Sequence, residues 1–129
     1  MLNPSQLPAI AGEKDYLAAV FGLEKSRQYA AAIEGYQTAL TRWPQSLIAF
    51  MGLGNSLYAL GDLPGAENAF RMAVVNHPRA ADAHNNLAQV LLEQGRKREA
   101  LESAQRAVAI GGAMGEVYES TLKEIKSKK

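Results

Sequence analysis

The sequence predicts an all-α chain of seven helices, three helix hairpins followed by one further helix. Three observations carry that expectation. Alanine is abundant and aromatic residues are few, a mix that suits close-packed helices rather than strands, which favour β-branched and aromatic side chains. Apolar residues recur at spacings of three and four, the helical period. The pattern also repeats every 34 residues: Tyr16, Phe50 and His84 share a register, as do Leu23, Leu57 and Leu91, Ala32, Ala66 and Ala100, and Ala39, Ala73 and Ala107. Tyr29 with Leu63, Tyr36 with Phe70, Pro44 with Pro78 and Gly61 with Gly95 keep the same offset.

Taken in order, residues 1–12, "MLNPSQLPAIAG", read as an extended lead-in. Two prolines and the lack of a basic start argue against both a helix and a signal peptide. Each 34-residue unit then predicts two helices of about 14 residues and about 21 Å. They are placed near 13–26 and 29–42, 47–60 and 63–76, and 81–94 and 97–110, with turns short enough to make each pair antiparallel. Gly61 falls where a helix end wants a left-handed residue, and Pro64 falls in the first turn of the next helix. Gly54 lies inside a helix and, with Ala66 and Ala73, is expected to let two backbones approach. The first repeat has Ala19 and Val20 where the second has Leu53 and Gly54, so its pair is expected to sit wider. The third has Lys97, whose aliphatic stem can cover apolar surface, and Ala104 in place of an aromatic ring. Gly111, Gly112 and Gly115 predict a loosely specified link to the last helix, about 115–127. There Val117, Tyr118, Thr121, Leu122 and Ile125 form one apolar face, suited to covering the end of a repeat stack. The opposite end has only the lead-in before Tyr16, which makes it a candidate contact surface.

Units 13–46, 47–80 and 81–114, with a capping helix and basic tail over 115–129, resemble tetratricopeptide repeats. In the middle unit Phe50, Leu53, Gly54, Leu57, Gly61, Ala66, Phe70, Ala73 and Pro78 occupy nearly every signature position. The resemblance implies a right-handed superhelix forming one domain. It also implies a non-catalytic scaffold that binds an extended peptide or partner segment in a concave groove. "NPSQLPAI", "TRWPQS" and "GLGNSLYALGDL" are also similar to the C-terminal repeat region of bacterial papain-like, bacteriocin-processing-type cysteine peptidases. That second resemblance implies an accessory domain that presents substrate, with the catalytic cysteine and histidine lying upstream.

Composition narrows the alternatives. A formal net charge of +1 without long runs of one sign is not the basic footprint of a nucleic-acid binder. The chain has no cysteine, so disulfides and cysteine-ligated zinc are excluded. No stretch approaches the roughly 18 apolar residues of a membrane span, so membrane insertion is not expected. His77 precedes Pro78 at a helix end, and His84 takes the register of Tyr16 and Phe50 in an inter-helix slot. Neither belongs to a nucleophile–base pair, so no enzyme, cofactor or metal site is expected. Gly52, Gly54 and Gly111–Gly112 fit no phosphate-binding loop. The turn "GRKRE", Gly95–Glu99, reads as a solvated basic turn, with an acidic partner as the alternative.

In the resembled family the first helix of each pair lines the groove. Carried over by spacing, the first repeat contributes Lys14, Leu17, Ala18, Phe21, Glu24 and Lys25. The second contributes Ile48, Met51, Gly52, Asn55, Tyr58 and Ala59, and the third Asp82, Asn85, Asn86, Gln89, Leu92 and Glu93. The groove is expected to be apolar near its N-terminal end and amide-rich near the other. Leu17, Phe21, Ile48, Met51 and Tyr58 suit apolar side chains of a ligand. Asn55, Asn85, Asn86 and Gln89 can both donate to and accept from its backbone. Family members that clamp a chaperone's C-terminal carboxylate use lysines, an arginine and asparagines. The matching positions here are Leu17, Phe21, Gly52, Asp82 and Asn86, of which only Asn86 fits, so acidic chaperone tails are not expected to bind. Self-association is a further expectation, a homodimer through the uncapped first repeat or by exchange of the last helix.

Overall fold

The computed structural model describes residues 12–129. They form seven helices: α1 (Glu13–Lys25), α2 (Tyr29–Arg42), α3 (Leu47–Ala59), α4 (Leu63–Asn76), α5 (Ala81–Glu93), α6 (Lys97–Ile110) and α7 (Gly115–Ser127). No strand occurs among the described residues. The helices coincide with the spans read from the 34-residue period to within one residue at each end. The expectation for the lead-in falls outside the described residues, apart from Gly12, which opens α1 in an extended conformation.

Two compact units divide the chain, one running to Ala69 and the other from Phe70 to Lys129. In the first, α2 packs against both α1 and α3. Its core joins Tyr16, Leu17, Val20 and Leu23 of α1 to Ala32, Tyr36 and Ala39 of α2 and Ala49 of α3. Trp43 meets Tyr16 edge to face, with ring centroids 5.7 Å apart, and the Arg42 guanidinium lies over both rings. In the second unit α5 packs on α6, and α7 lies against both. Ala81, Ala107 and Tyr118 are buried together there, flanked by Val108 and Ile110.

The hairpin turns show how the repeat is built. Each first helix ends in a pair of reversed hydrogen bonds, of which the longer returns to the repeated leucine. Gln28 N–H donates to Leu23 O and Arg27 N–H to Glu24 O; Asp62 donates to Leu57 and Gly61 to Tyr58; Arg96 donates to Leu91 and Gly95 to Leu92. This arrangement satisfies carbonyls that the helix end leaves open, and it needs a left-handed residue just past the end. Gly61 (φ 83°) and Gly95 (φ 79°) supply it, whereas the first repeat places Arg27 there at φ 63°. Two helix starts are capped by side chains, Ser46 Oγ accepting from Ala49 N–H at 3.1 Å and Asp62 Oδ1 from Gly65 N–H at 2.9 Å. In the link before α7, Gly111 and Gly112 both have positive φ.

Two packing expectations are corrected. Gly52, expected in the lining of a groove, is instead buried beneath a side chain of α2. A Cβ at Gly52 would sit 2.1 Å from Cζ of Tyr36, whose ring lies directly over the α3 backbone. On α7, Tyr118, Thr121 and Ile125 are buried but Val117 is 44% exposed, because the contact stripe runs one position to its side.

Candidate functional site

The first unit carries an open pocket of about 620 Å³, lined by Glu13, Lys14, Leu17, Ala18, Phe21 and Ile48. Five of these come from one face of α1, repeating at the spacing of a helical turn, and Ile48 comes from the first turn of α3. Leu17 is buried and forms the floor, while Phe21 is 48% and Ile48 59% exposed and form the walls. The Lys25 ammonium lies over the Phe21 ring, 5.8 Å from its centroid, so a cation stands beside that wall of the pocket.

Behind the pocket the support is rigid. Tyr36, fully buried between α1 and α3, donates its hydroxyl to Glu24 Oε1 at 2.7 Å. Burial, and then the Glu24 carboxylate, push the Tyr36 phenol well above its ordinary range. Its ring rests on Gly52, and its hydroxyl holds Glu24 on α1, so one side chain sets the spacing of the two helices that form the pocket.

Of the residues expected from the sequence, the structure brings Leu17, Phe21 and Ile48 together in this pocket, with Lys14 and Ala18 beside them. Glu13 was not anticipated; its place one turn before Leu17 on the same face was the available signal. Met51 is half-buried and Asn55 and Tyr58 are exposed, continuing the stripe of Ile48 along α3 beyond the pocket.

In the second unit the corresponding face of α5 is of another kind. Asp82 accepts the hydroxyl of Tyr118 from α7. Burial, then the Asp82 hydrogen bond, push the Tyr118 phenol up to about 12. Asn86 is half-buried and Gln89 exposed. Asn85 is not a surface amide as expected: it is 5% exposed and its Oδ1 has no hydrogen-bond partner. His84 is buried too, its Nε2 2.9 Å from the Pro78 carbonyl oxygen. A carbonyl only accepts, so Nε2 carries the proton. In the basic turn Arg96 and Arg71 both pair with Glu99, at 2.8 and 3.0 Å. Chiefly the Arg96 hydrogen bond holds the Glu99 carboxyl below its ordinary value. Among the described residues no group of three acidic, histidine or cysteine side chains could hold a metal ion, and no helix is long and apolar enough to cross a membrane.

A family model described as tetratricopeptide repeat matches residues 22–76 and 53–114. The chain therefore belongs to the tetratricopeptide repeat family. No curated protein matches it. Among solved structures it is similar to the Yersinia enterocolitica type III secretion chaperone SycD in complex with a peptide of the translocator YopD. There the TM-score is 0.83 and the identity 20%, over 92% of this chain and 97% of that one. PcrH from Pseudomonas aeruginosa gives a TM-score of 0.85 at 16% identity, over 94% and 100%. The first repeat domain of Spaghetti (RPAP3), bound to the HSP90 peptide SRMEEVD, gives 0.78 at 16% identity, over 84% and 86%. At these identities the likeness establishes the fold.

Proposed function

We propose that the protein is a non-catalytic binding module that holds an extended segment of a partner protein, with one apolar side chain of that segment seated in the pocket of α1 and α3. The observation that carries this is the exposure of Phe21 and Ile48 around a buried Leu17 floor. Covering two such side chains is worth about 1.5–3 kcal/mol each when burial is complete, enough to anchor a peptide but not to bind it alone. Met51, Asn55 and Tyr58 continue the contact along α3, the amide serving the ligand backbone. Two of the similar structures hold a peptide, SycD that of YopD and RPAP3 that of HSP90, which supports a peptide as the class of ligand.

The chemistry of the site separates it from an acidic-tail receptor. Leu17 and Phe21 offer no donor to a carboxylate, and Glu13 on the rim would repel one. The peptide SRMEEVD is therefore expected not to bind at micromolar concentration, and saturable micromolar binding would contradict the account. Panning a random peptide library on the wild-type chain should enrich uncharged segments with a large aliphatic or aromatic residue. The same panning on Ile48→Asp should lose them. Equal recovery on both proteins would place the site elsewhere.

A further inference from the structure

The second unit repeats the first: α5, α6 and α7 begin and end at the positions of α1, α2 and α3 displaced by two 34-residue periods. In each unit the third helix of the set packs against the first. The pocket residues Lys14, Leu17, Phe21 and Ile48 thus have Asp82, Asn85, Gln89 and Glu116 as counterparts. Where the first unit leaves room for an apolar side chain, this face is covered at its floor, with Asn85 buried. Only a polar rim of Asp82, Gln89 and Glu116 stays exposed. We propose that Asp82, Asn85 and Glu116, with Gln89 beside them, form a second subsite, which takes a basic side chain, lysine or arginine, of a partner protein.

Charge and unmet hydrogen bonding both favour a cation. Asp82 and Glu116 stand in the first turns of α5 and α7, where the helix dipole favours a negative charge. Among the described residues no lysine or arginine pairs with either, whereas Glu99 holds both Arg71 and Arg96. Asn85 lies one helical turn from Asp82 and one from Gln89, and its Oδ1 is a buried acceptor without a donor. The dipole accounts for the two carboxylates but not for this orphan, whose burial is costly until a donor reaches it. An ammonium or guanidinium brings several donors at once, and hydrogen bonds from a charged donor are the strong kind. The Tyr118 hydroxyl, bound to Asp82 Oδ1, holds that carboxylate in place and leaves Oδ2 to accept from the ligand. A metal ion lacks its ligands, since among the described residues no three acidic, histidine or cysteine groups could hold one. A single cation on an exposed rim binds weakly by itself, so the subsite adds to a partner that other contacts anchor.

The test is an NMR titration of the full, isotope-labelled chain with N-acetyl-lysine amide and N-acetyl-arginine amide, and with N-acetyl-norleucine amide as the uncharged control. The readout lies on α5 and α7, so failure here leaves the pocket of α1 and α3 standing. A basic probe should shift the Asn85 side-chain amide and the Glu116 backbone amide saturably at millimolar concentration, and the norleucine probe should not. Glu116→Gln should weaken the basic probe by roughly twofold to fivefold, the range of an exposed ion pair, with the melting temperature unchanged because Glu116 is exposed. Equal shifts with norleucine would overturn the proposal. So would shifts as large at the exposed Glu119 and Glu124, which mark a general ion atmosphere, or undiminished affinity in Glu116→Gln.

Discussion

The two units use one register for opposite purposes. In the 34-residue register Ile48 of α3 is equivalent to Asp82 of α5, and Leu17 of α1 to Met51 and Asn85. In the first unit this face stays open: Ile48 is exposed, Leu17 forms an apolar floor, and a pocket remains. In the second, Asp82 receives the Tyr118 hydroxyl and α7 lies alongside α5. The same backbone motif thus presents an open apolar pocket in one unit and a covered face in the other, according to the side chains it carries. The turn residues show the same tolerance, since Arg27 carries the backbone conformation that Gly61 and Gly95 adopt without a side chain.

The largest expected effect breaks the clamp behind the open face. Gly→Ala inside a helix ordinarily stabilises by about 1 kcal/mol. At Gly52 the sign should reverse, because the new methyl would overlap the Tyr36 ring, and we expect a loss of about 1–3 kcal/mol in a denaturant melt. Pairing it with Tyr36→Leu should give a loss smaller than the sum of the two single changes, since both act on one contact.

Tyr118→Phe tests the closed face. It removes the hydroxyl from Asp82 and should cost about 0.5–1.5 kcal/mol. The pH dependence has a definite sign. The phenol of the folded chain holds its proton more tightly than the ordinary value of 10.0, so its contribution is complete below pH 10.0 and is lost as pH rises toward about 12. The wild-type melt should therefore fall more steeply than that of Tyr118→Phe across this window; parallel curves would deny the phenol any such role.

Arg27→Gly should act in the other direction, raising stability by about 0.5–1 kcal/mol by relieving a left-handed conformation that costs a side-chain-bearing residue about 1–2 kcal/mol. The smallest expected effect belongs to Glu99→Gln in the exposed arginine turn. Because the folded carboxyl titrates below its ordinary 4.5, the small stability it adds should vanish as pH falls below that value, leaving wild type and variant indistinguishable in acid.

Most of the fold could be read from the sequence, because a 34-residue period kept by leucines, alanines and aromatics specifies which faces pack and where helices stop. Gly61 and Gly95 announced their turns, but Arg27 did not, since the repeated leucine and the hydrogen bonds impose that conformation without a glycine. Gly52 was misread for a related reason. Spacing places it on the ligand-lining stripe, yet a large ring one helix earlier, Tyr36, needs a neighbour without a side chain. The register contains the hint: Tyr36 and Gly52 become Phe70 and Asn86, then Ala104 and Ser120, so the glycine coincides with the largest ring. Leu17, Phe21 and Ile48 were legible as a group through the family resemblance, which names the lining helices, and through the helical spacing that aligns 13/14, 17/18 and 21. Asn85 was not, because its burial is a tertiary fact that no local pattern records.

The most direct measurement of the central claim is a calorimetric titration of the best library-selected peptide into wild-type protein and Ile48→Asp. Ile48 is already 59% exposed, so the substitution should leave the thermal melt nearly unchanged. The account predicts at least tenfold weaker binding, a loss of about 1.4 kcal/mol or more, from placing a carboxylate on the pocket wall. Equal affinity for the two folded proteins would contradict it.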